Sequence, residues 1–309
     1  MGAATVIDYL EQLVETGEYA KAIELGEQLL KDRENQPVQV LAIHCALLQS
    51  RCALGQLEGA VATGKLCLTQ AKELHQWDYF GKVSLYLGVA HARLHRHREA
   101  VDLYAQYIDH INLYKDALRL QLMAWYNLGL SNLAVGDWRS AALSLTAALD
   151  KASTEGNTRT LHGVRQALVQ ARIAIGEFSS VPKLLAQCAH YLRYAAVPSS
   201  RTSRLYHLEL RARFAAATGR ASRARLLCLR GLEEAGDDFE HLAFFHMLLA
   251  RLAWGAGAGC EALGHSTAAQ IAAKHALRPD LETESAELTY SLSRTFSYAA
   301  EDVDAFYLW

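Results

Sequence analysis

Small or aliphatic residues recur at positions 22, 60, 100, 141, 181, 224 and 262, in steps of 38, 40, 41, 40, 43 and 38. A period near 40 sustained over seven copies restricts this chain more than any other feature. It calls for one supersecondary unit stacked on copies of itself, with each copy too small to bury a core alone. The clearest copy is Ala124–Leu149, AWYNLGLSNLAVGDWRSAALSLTAAL. Its spacing is W-x2-L-G-x6-G-x-W-x2-A-x6-A, carried by Trp125, Leu128, Gly129, Gly136, Trp138, Ala141 and Ala148. Gly136 punctuates an otherwise helical pattern, so it reads as the turn between two antiparallel helices. Glycine and alanine at matched heights let those helices approach, and bulky residues fill the gaps.

The other copies follow the same grammar. Val6, Tyr9, Leu10 and Leu13 form a helical stripe, Gly17 turns the chain, and Ala22 with Gly26 opens the second helix. Pro37 suits the first turn of the next helix. The second copy runs through Gly55, Ala60, Gly64 and Cys67, and the third through Leu87-Gly88, His95, His97 and Ala100. Later copies turn at Gly176, Gly219 and Gly257. The expected repeats are approximately 3–35, 37–75, 77–113, 115–153, 157–195, 200–236 and 238–277. A capping helix over 279–298 and a tail over 299–309 complete one solenoid domain spanning 1–309.

The W-x2-L-G element with its later small residues resembles the tetratricopeptide repeat, a helix–turn–helix unit. The resemblance covers roughly residues 3–276. It implies an all-α, right-handed superhelical solenoid of about seven antiparallel helix pairs plus a C-terminal capping helix. The usual repeat has about 34 residues, so a period near 40 points to long-repeat arrays, which resemble those of kinesin light chains and bacterial quorum-peptide receptors. HEAT repeats share the period but not the glycine turn.

Composition removes several function classes. The chain is 51% hydrophobic and 21% charged, with a net charge of -2, which gives no general attraction to nucleic acid or anionic membrane. MGAATVIDYLEQLVE lacks the basic start and unbroken apolar core of a secretory signal. No uncharged apolar stretch is long enough to span a bilayer. The six cysteines are scattered without a C-x-x-C pair, consistent with reduced thiols and a cytoplasmic location. Cys67, Cys188 and Cys228 fall at packing positions, whereas Cys45 and Cys52 map nearer the inner face and read as candidate exposed thiols.

No P-loop, nucleophile elbow or H-E-x-x-H sequence occurs. His91 and His95 in HARLHRHRE have an i, i+4 spacing that can grip a metal, but only Glu99 accompanies them as an acidic ligand. No catalytic residue, cofactor or metal site is therefore expected, and the chain is not expected to be an enzyme. Residues 201–230 carry eight arginines and one glutamate, while 231–309 carry thirteen acidic residues and four basic ones. Such a basic run fits either solvated helix faces or a patch for an acidic peptide or phosphate.

In tetratricopeptide proteins the ligand usually lies along the concave groove, lined by the first helix of each pair. Aligned on Met123, Tyr126, Leu130 and Leu133, the corresponding positions are Gln49, Lys82, Arg93, Gln166, Gln170, Glu209, Arg213, Arg251 and Trp254. Asn127 occupies a position where many members hold asparagine against a peptide backbone, since an amide both donates and accepts. The carboxylate clamp of chaperone-binding members would require lysine and asparagine at Leu85 and Val89, so that ligand is not expected. The resemblance thus implies a non-catalytic scaffold for a peptide or extended protein segment, without direct nucleic-acid or membrane partners. The alternative is a signalling-peptide sensor that controls a transcription factor or phosphorelay; with the first repeat beginning near Met1, it would act on another protein, or the chain is a fragment of a longer regulator. The aromatic end Phe306–Trp309 either packs on the cap or docks elsewhere, and a homo-oligomer through the C-terminal helix or tail is the corresponding assembly.

Overall fold

A computed structural model describes residues 3–31, 36–109, 118–194 and 200–306. These residues form α-helices and turns, with no strand among them. Two compact units divide the chain, 1–171 and 172–309. The first contains α1 (Ala3–Glu15), α2 (Tyr19–Leu29), α3 (Pro37–Ala53), α4 (Leu57–Glu73), α5 (Trp77–Arg93), α6 (His97–Asp109), α7 (Leu118–Val135), α8 (Trp138–Glu155) and most of α9 (Thr158–Ile175). The second contains α10 (Val181–Tyr194), α11 (Arg201–Ala217), α12 (Ala221–Ala235), α13 (Phe239–Gly255), α14 (Gly259–His275) and α15 (Pro279–Phe306). The last helix runs past the expected 298 to Phe306. The packing or docking of the aromatic tail lies outside the described residues.

One turn joins the helices of each pair. After α7, Gly136 has φ 81° and donates its N–H to Leu133, while Asp137 donates to Asn132. This pair of bonds satisfies carbonyls at the end of the helix and requires a left-handed residue. The Asp137 carboxylate then accepts from Ser140 N–H at 3.0 Å, capping α8 and lowering the Asp137 pKa. Asp238, Ser200 and Asn157 accept the equivalent bonds at other helix starts. After α5 the left-handed residue is His95, φ 59°, with the same two bonds. The turn therefore persists in a copy that lacks its glycine.

The recurring small residues are the contact points. Ala22, Ala60, Ala100, Ala141, Val181, Ala224 and Ala262 are all buried. Within hairpins, a Cβ on Gly129 would lie 2.5 Å from Leu145 Cγ, and one on Gly88 would lie 2.6 Å from Tyr104 Cε1. Between hairpins, Gly26 receives Leu47, Gly64 receives Leu87 and Gly231 receives Phe245, each closer than a Cβ would allow. These approaches bury large side chains such as Leu145, Tyr104 and Phe245 completely, worth about 2–3 kcal/mol each in apolar transfer. Trp138 stays 37% exposed at the start of α8, so it does not fill the core.

Candidate functional site

Odd-numbered helices pack beside one another within each unit: α1 beside α3, α3 beside α5 and α5 beside α7, then α11 beside α13 and α13 beside α15. This makes the odd helices the more closely spaced layer, and the half-buried faces of that layer carry most of the residues expected from sequence.

In the first unit, Gln49 and Lys82 come together. They line a cavity of about 110 Å³ with Glu11 and Glu15 from α1, Cys45 from α3 and Tyr79 from α5. The Lys82 ammonium lies 5.9 Å from the Tyr79 ring centre, within cation–π range. Burial, reinforced by the Glu11 carboxylate, pushes the Tyr79 phenol up to about 12, so it remains a neutral hydrogen-bonding group. The cavity thus offers two carboxylates, one ammonium, one amide and a phenol. Such a set can hold an amine, a carboxylate or a peptide group in distinct subsites. Glu11, Glu15 and Tyr79 were not among the expected residues, because the helix-to-helix alignment that selected Gln49 and Lys82 does not pick them out.

The remaining residues of this unit diverge in role. Arg93 does not line the cavity; its guanidinium donates to the Cys52 carbonyl and fastens the end of α5 to the end of α3. Met123 packs against the core around Ala124, Leu85 and Tyr104. Tyr126 lies over Leu122, Ala148, Ala152 and Val164, and its hydroxyl stands where a side chain on Gly163 would sit. Burial raises its pKa. Asn127 and Gln170 are half-buried and Gln166 is buried. Cys45 and Cys52 are not exposed thiols: both are buried, and desolvation pushes them up to about 12 and about 11. His91 is buried while His95 closes the turn, so the histidine pair does not present one open face.

In the second unit, Glu209 and Arg213 are joined one helical turn apart. Arg213 Nε and Nη2 both donate to Glu209 Oε1, at 3.0 and 2.9 Å. The guanidinium also lies over the Phe244 ring, 4.3 Å from its centre. Glu209 is almost fully buried, and desolvation raises its pKa against the opposing pull of Arg213 and His241. Arg213 is thereby held at a fixed angle, with Nη1 making no hydrogen bond among the described residues, and an oriented guanidinium suits a carboxylate. Arg251 is paired to Glu284 at 2.7 Å, and Trp254 is 39% exposed. No group of three metal-ligating side chains occurs among the described residues. No helix among them is long and apolar enough to cross a membrane.

Neither a family model nor any curated protein matches the sequence. Solved structures match the fold. NprR in complex with its cognate peptide NprX is 13% identical, with TM-score 0.65, covering 99% of this chain and 87% of NprR. A Rap protein complexed with Competence and Sporulation Factor is 10% identical, with TM-score 0.61, covering 94% of this chain and 87% of that one. A tetratricopeptide repeat protein from Parabacteroides merdae ATCC 43184 is 13% identical, with TM-score 0.55, covering 93% and 98%. With the helical hairpins, their left-handed turns and their small-residue contacts, these likenesses show that the chain shares the helical-hairpin fold of these tetratricopeptide-repeat-like structures.

Proposed function

We propose that this chain is a non-catalytic interaction protein that binds a peptide or extended protein segment on the faces of its odd-numbered helices. The observation that carries this reading is the cavity where Gln49 and Lys82 meet Glu11, Glu15 and Tyr79. Opposite charges and an amide, placed on rigid helices, provide pre-organised partners for a chain terminus and backbone. Arg213, oriented by Glu209 and Phe244, provides a carboxylate-binding group in the second unit. Asn127 supplies a half-buried amide able to pair with a peptide group. The fold neighbours NprR and Rap, each crystallised with a peptide or factor, support the same class of ligand. Six free cysteines fit a reducing, cytoplasmic setting.

The test is peptide selection on the full-length protein followed by affinity measurement on variants. Peptides retained by the wild type should bind Lys82→Ala, Glu11→Ala or Arg213→Ala about tenfold or more weakly, the effect of one lost charge-assisted hydrogen bond. Affinity unchanged in all three would remove the odd-helix faces as the binding surface. The likeness to NprR also favours a second reading, a signalling-peptide sensor acting on a regulator. It requires a bound peptide to change amide exchange beyond the contacted helices. Protection confined to the contact surface would leave a scaffold.

A further inference from the structure

The second unit holds a larger cavity that the peptide reading does not use. It has a volume of about 450 Å³, lies between α10 and α12 and is floored by α11. Its rim carries Arg193, Arg211, Arg220 and Arg223, while Leu185, Phe214 and Leu227 form apolar walls. No carboxylate lines it. Four of the other arginines in the basic run have carboxylate partners elsewhere: Arg201 with Asp237, Arg213 with Glu209, Arg225 with Glu261 and Arg230 with Glu234. The four rim arginines have no ion pair among the described residues. Burial, with repulsion from Arg223 and Arg230, lowers the Arg211 pKa, so like charges crowd this opening. Arg220 is also the residue before α12, and it makes no side-chain capping bond there. The first N–H groups of α12 add partial positive charge to the same rim.

We infer that this cavity is a binding site for a small polyanion with an apolar body, in chemical class a nucleoside polyphosphate. Four guanidinium groups match the three to four negative charges of a triphosphate. Guanidinium is the group best shaped for phosphate oxygens, because its N–H donors can bond two oxygens at once. Leu185, Phe214 and Leu227 give the remainder of the molecule an apolar surface. A volume of about 450 Å³ lies within the range of small-molecule sites and exceeds what a lone phosphate would fill. The site does not involve the odd-helix cavity of the first unit and stands or falls separately from the peptide reading.

Isothermal titration calorimetry on the full-length protein tests it with adenosine triphosphate, inorganic triphosphate, adenosine and an acidic peptide as probes. Adenosine triphosphate should bind most tightly, inorganic triphosphate at least about tenfold more weakly, and adenosine not measurably. Arg211→Gln and Arg223→Gln should each weaken adenosine triphosphate about tenfold or more, whereas Arg225→Gln, whose partner is Glu261, should change it less than twofold. Without ligand, Arg211→Gln should melt at a higher temperature than wild type, because it relieves repulsion; this separates a ligand arginine from one that supports the fold. Absence of adenosine triphosphate binding, or binding indifferent to Arg211 and Arg223, overturns the site. Equal binding of inorganic triphosphate, or tighter binding of the acidic peptide, overturns the ligand class.

Discussion

Gly129→Ala and Leu145→Ala together test whether the close approach of α7 and α8 holds this hairpin. A methyl group on Gly129 would lie 2.5 Å from Leu145 Cγ and 2.7 Å from Cδ2, well inside van der Waals contact. Leu145 is fully buried, so it cannot swing into solvent. Overpacking of this kind costs about 2 kcal/mol. Leu145→Ala alone empties a packed site and costs about 3 kcal/mol. Independent effects would sum to about 5 kcal/mol. In the double variant the new methyl group occupies space that Leu145 has vacated, so the expected loss is about 3 kcal/mol, a coupling of roughly 2 kcal/mol. Urea unfolding followed by circular dichroism gives the global figures. Amide exchange in α7 and α8 assigns them to this hairpin, which is necessary in a chain with two units. Additive losses, or a Gly129→Ala protein as stable as wild type, would show that Gly129 is not a contact point.

Two further outcomes follow from buried groups. Burial raises the Glu209 carboxyl above its ordinary value of 4.5, so its protonated form favours folding; the associated stability is complete below that value and is lost as pH rises through the folded pKa. Glu209→Gln should therefore be more stable than wild type at neutral pH, with the advantage shrinking towards zero as pH falls to 4.5 in thermal melts; an advantage independent of pH would refute this. For Cys45, a pKa moved from 9.0 to about 12 leaves about a thousandfold less thiolate. Mass spectrometry after brief maleimide labelling of the native protein should find exposed Cys260 modified first and Cys45, Cys52, Cys67, Cys188 and Cys228 only after denaturation; fast labelling of Cys45 would contradict its burial.

The fold was legible because a repeat writes the same physical demand many times. Gly136, Gly176, Gly219 and Gly257 each occupy the left-handed turn, and the small residues spaced from them meet the neighbouring helix. His95 shows that the period carries more information than the residue, since the turn forms without its glycine. The candidate surface was less legible. Position in the repeat brought Gln49 and Lys82 to one cavity, but Glu11, Glu15 and Tyr79 join them only through the packing of α1, α3 and α5. Cys45 and Cys52 looked inner-facing, yet α3 is enclosed by neighbours on more than one side, which the helical period does not reveal. The arginine run was visible as charge. Its division into arginines with carboxylate partners and arginines around a cavity depends on where each points in the fold.

The glycines that receive a side chain from the next hairpin act mechanically as sockets. Gly26 with Leu47, Gly64 with Leu87 and Gly231 with Phe245 set how far apart successive hairpins stand. In the second unit, ion pairs at the surface act as stays across the joints: Arg225 reaches Glu261 at 2.6 Å and Arg251 reaches Glu284 at 2.7 Å, each side chain about a third to a half exposed. Such stays weaken as salt rises, because charges in solvent are screened over about 8 Å at physiological ionic strength. Buried sockets do not. In the second unit the spacing set by Gly231 and Phe245 is therefore insensitive to ionic strength, while the ion pairs that cross its joints at the surface are sensitive to it.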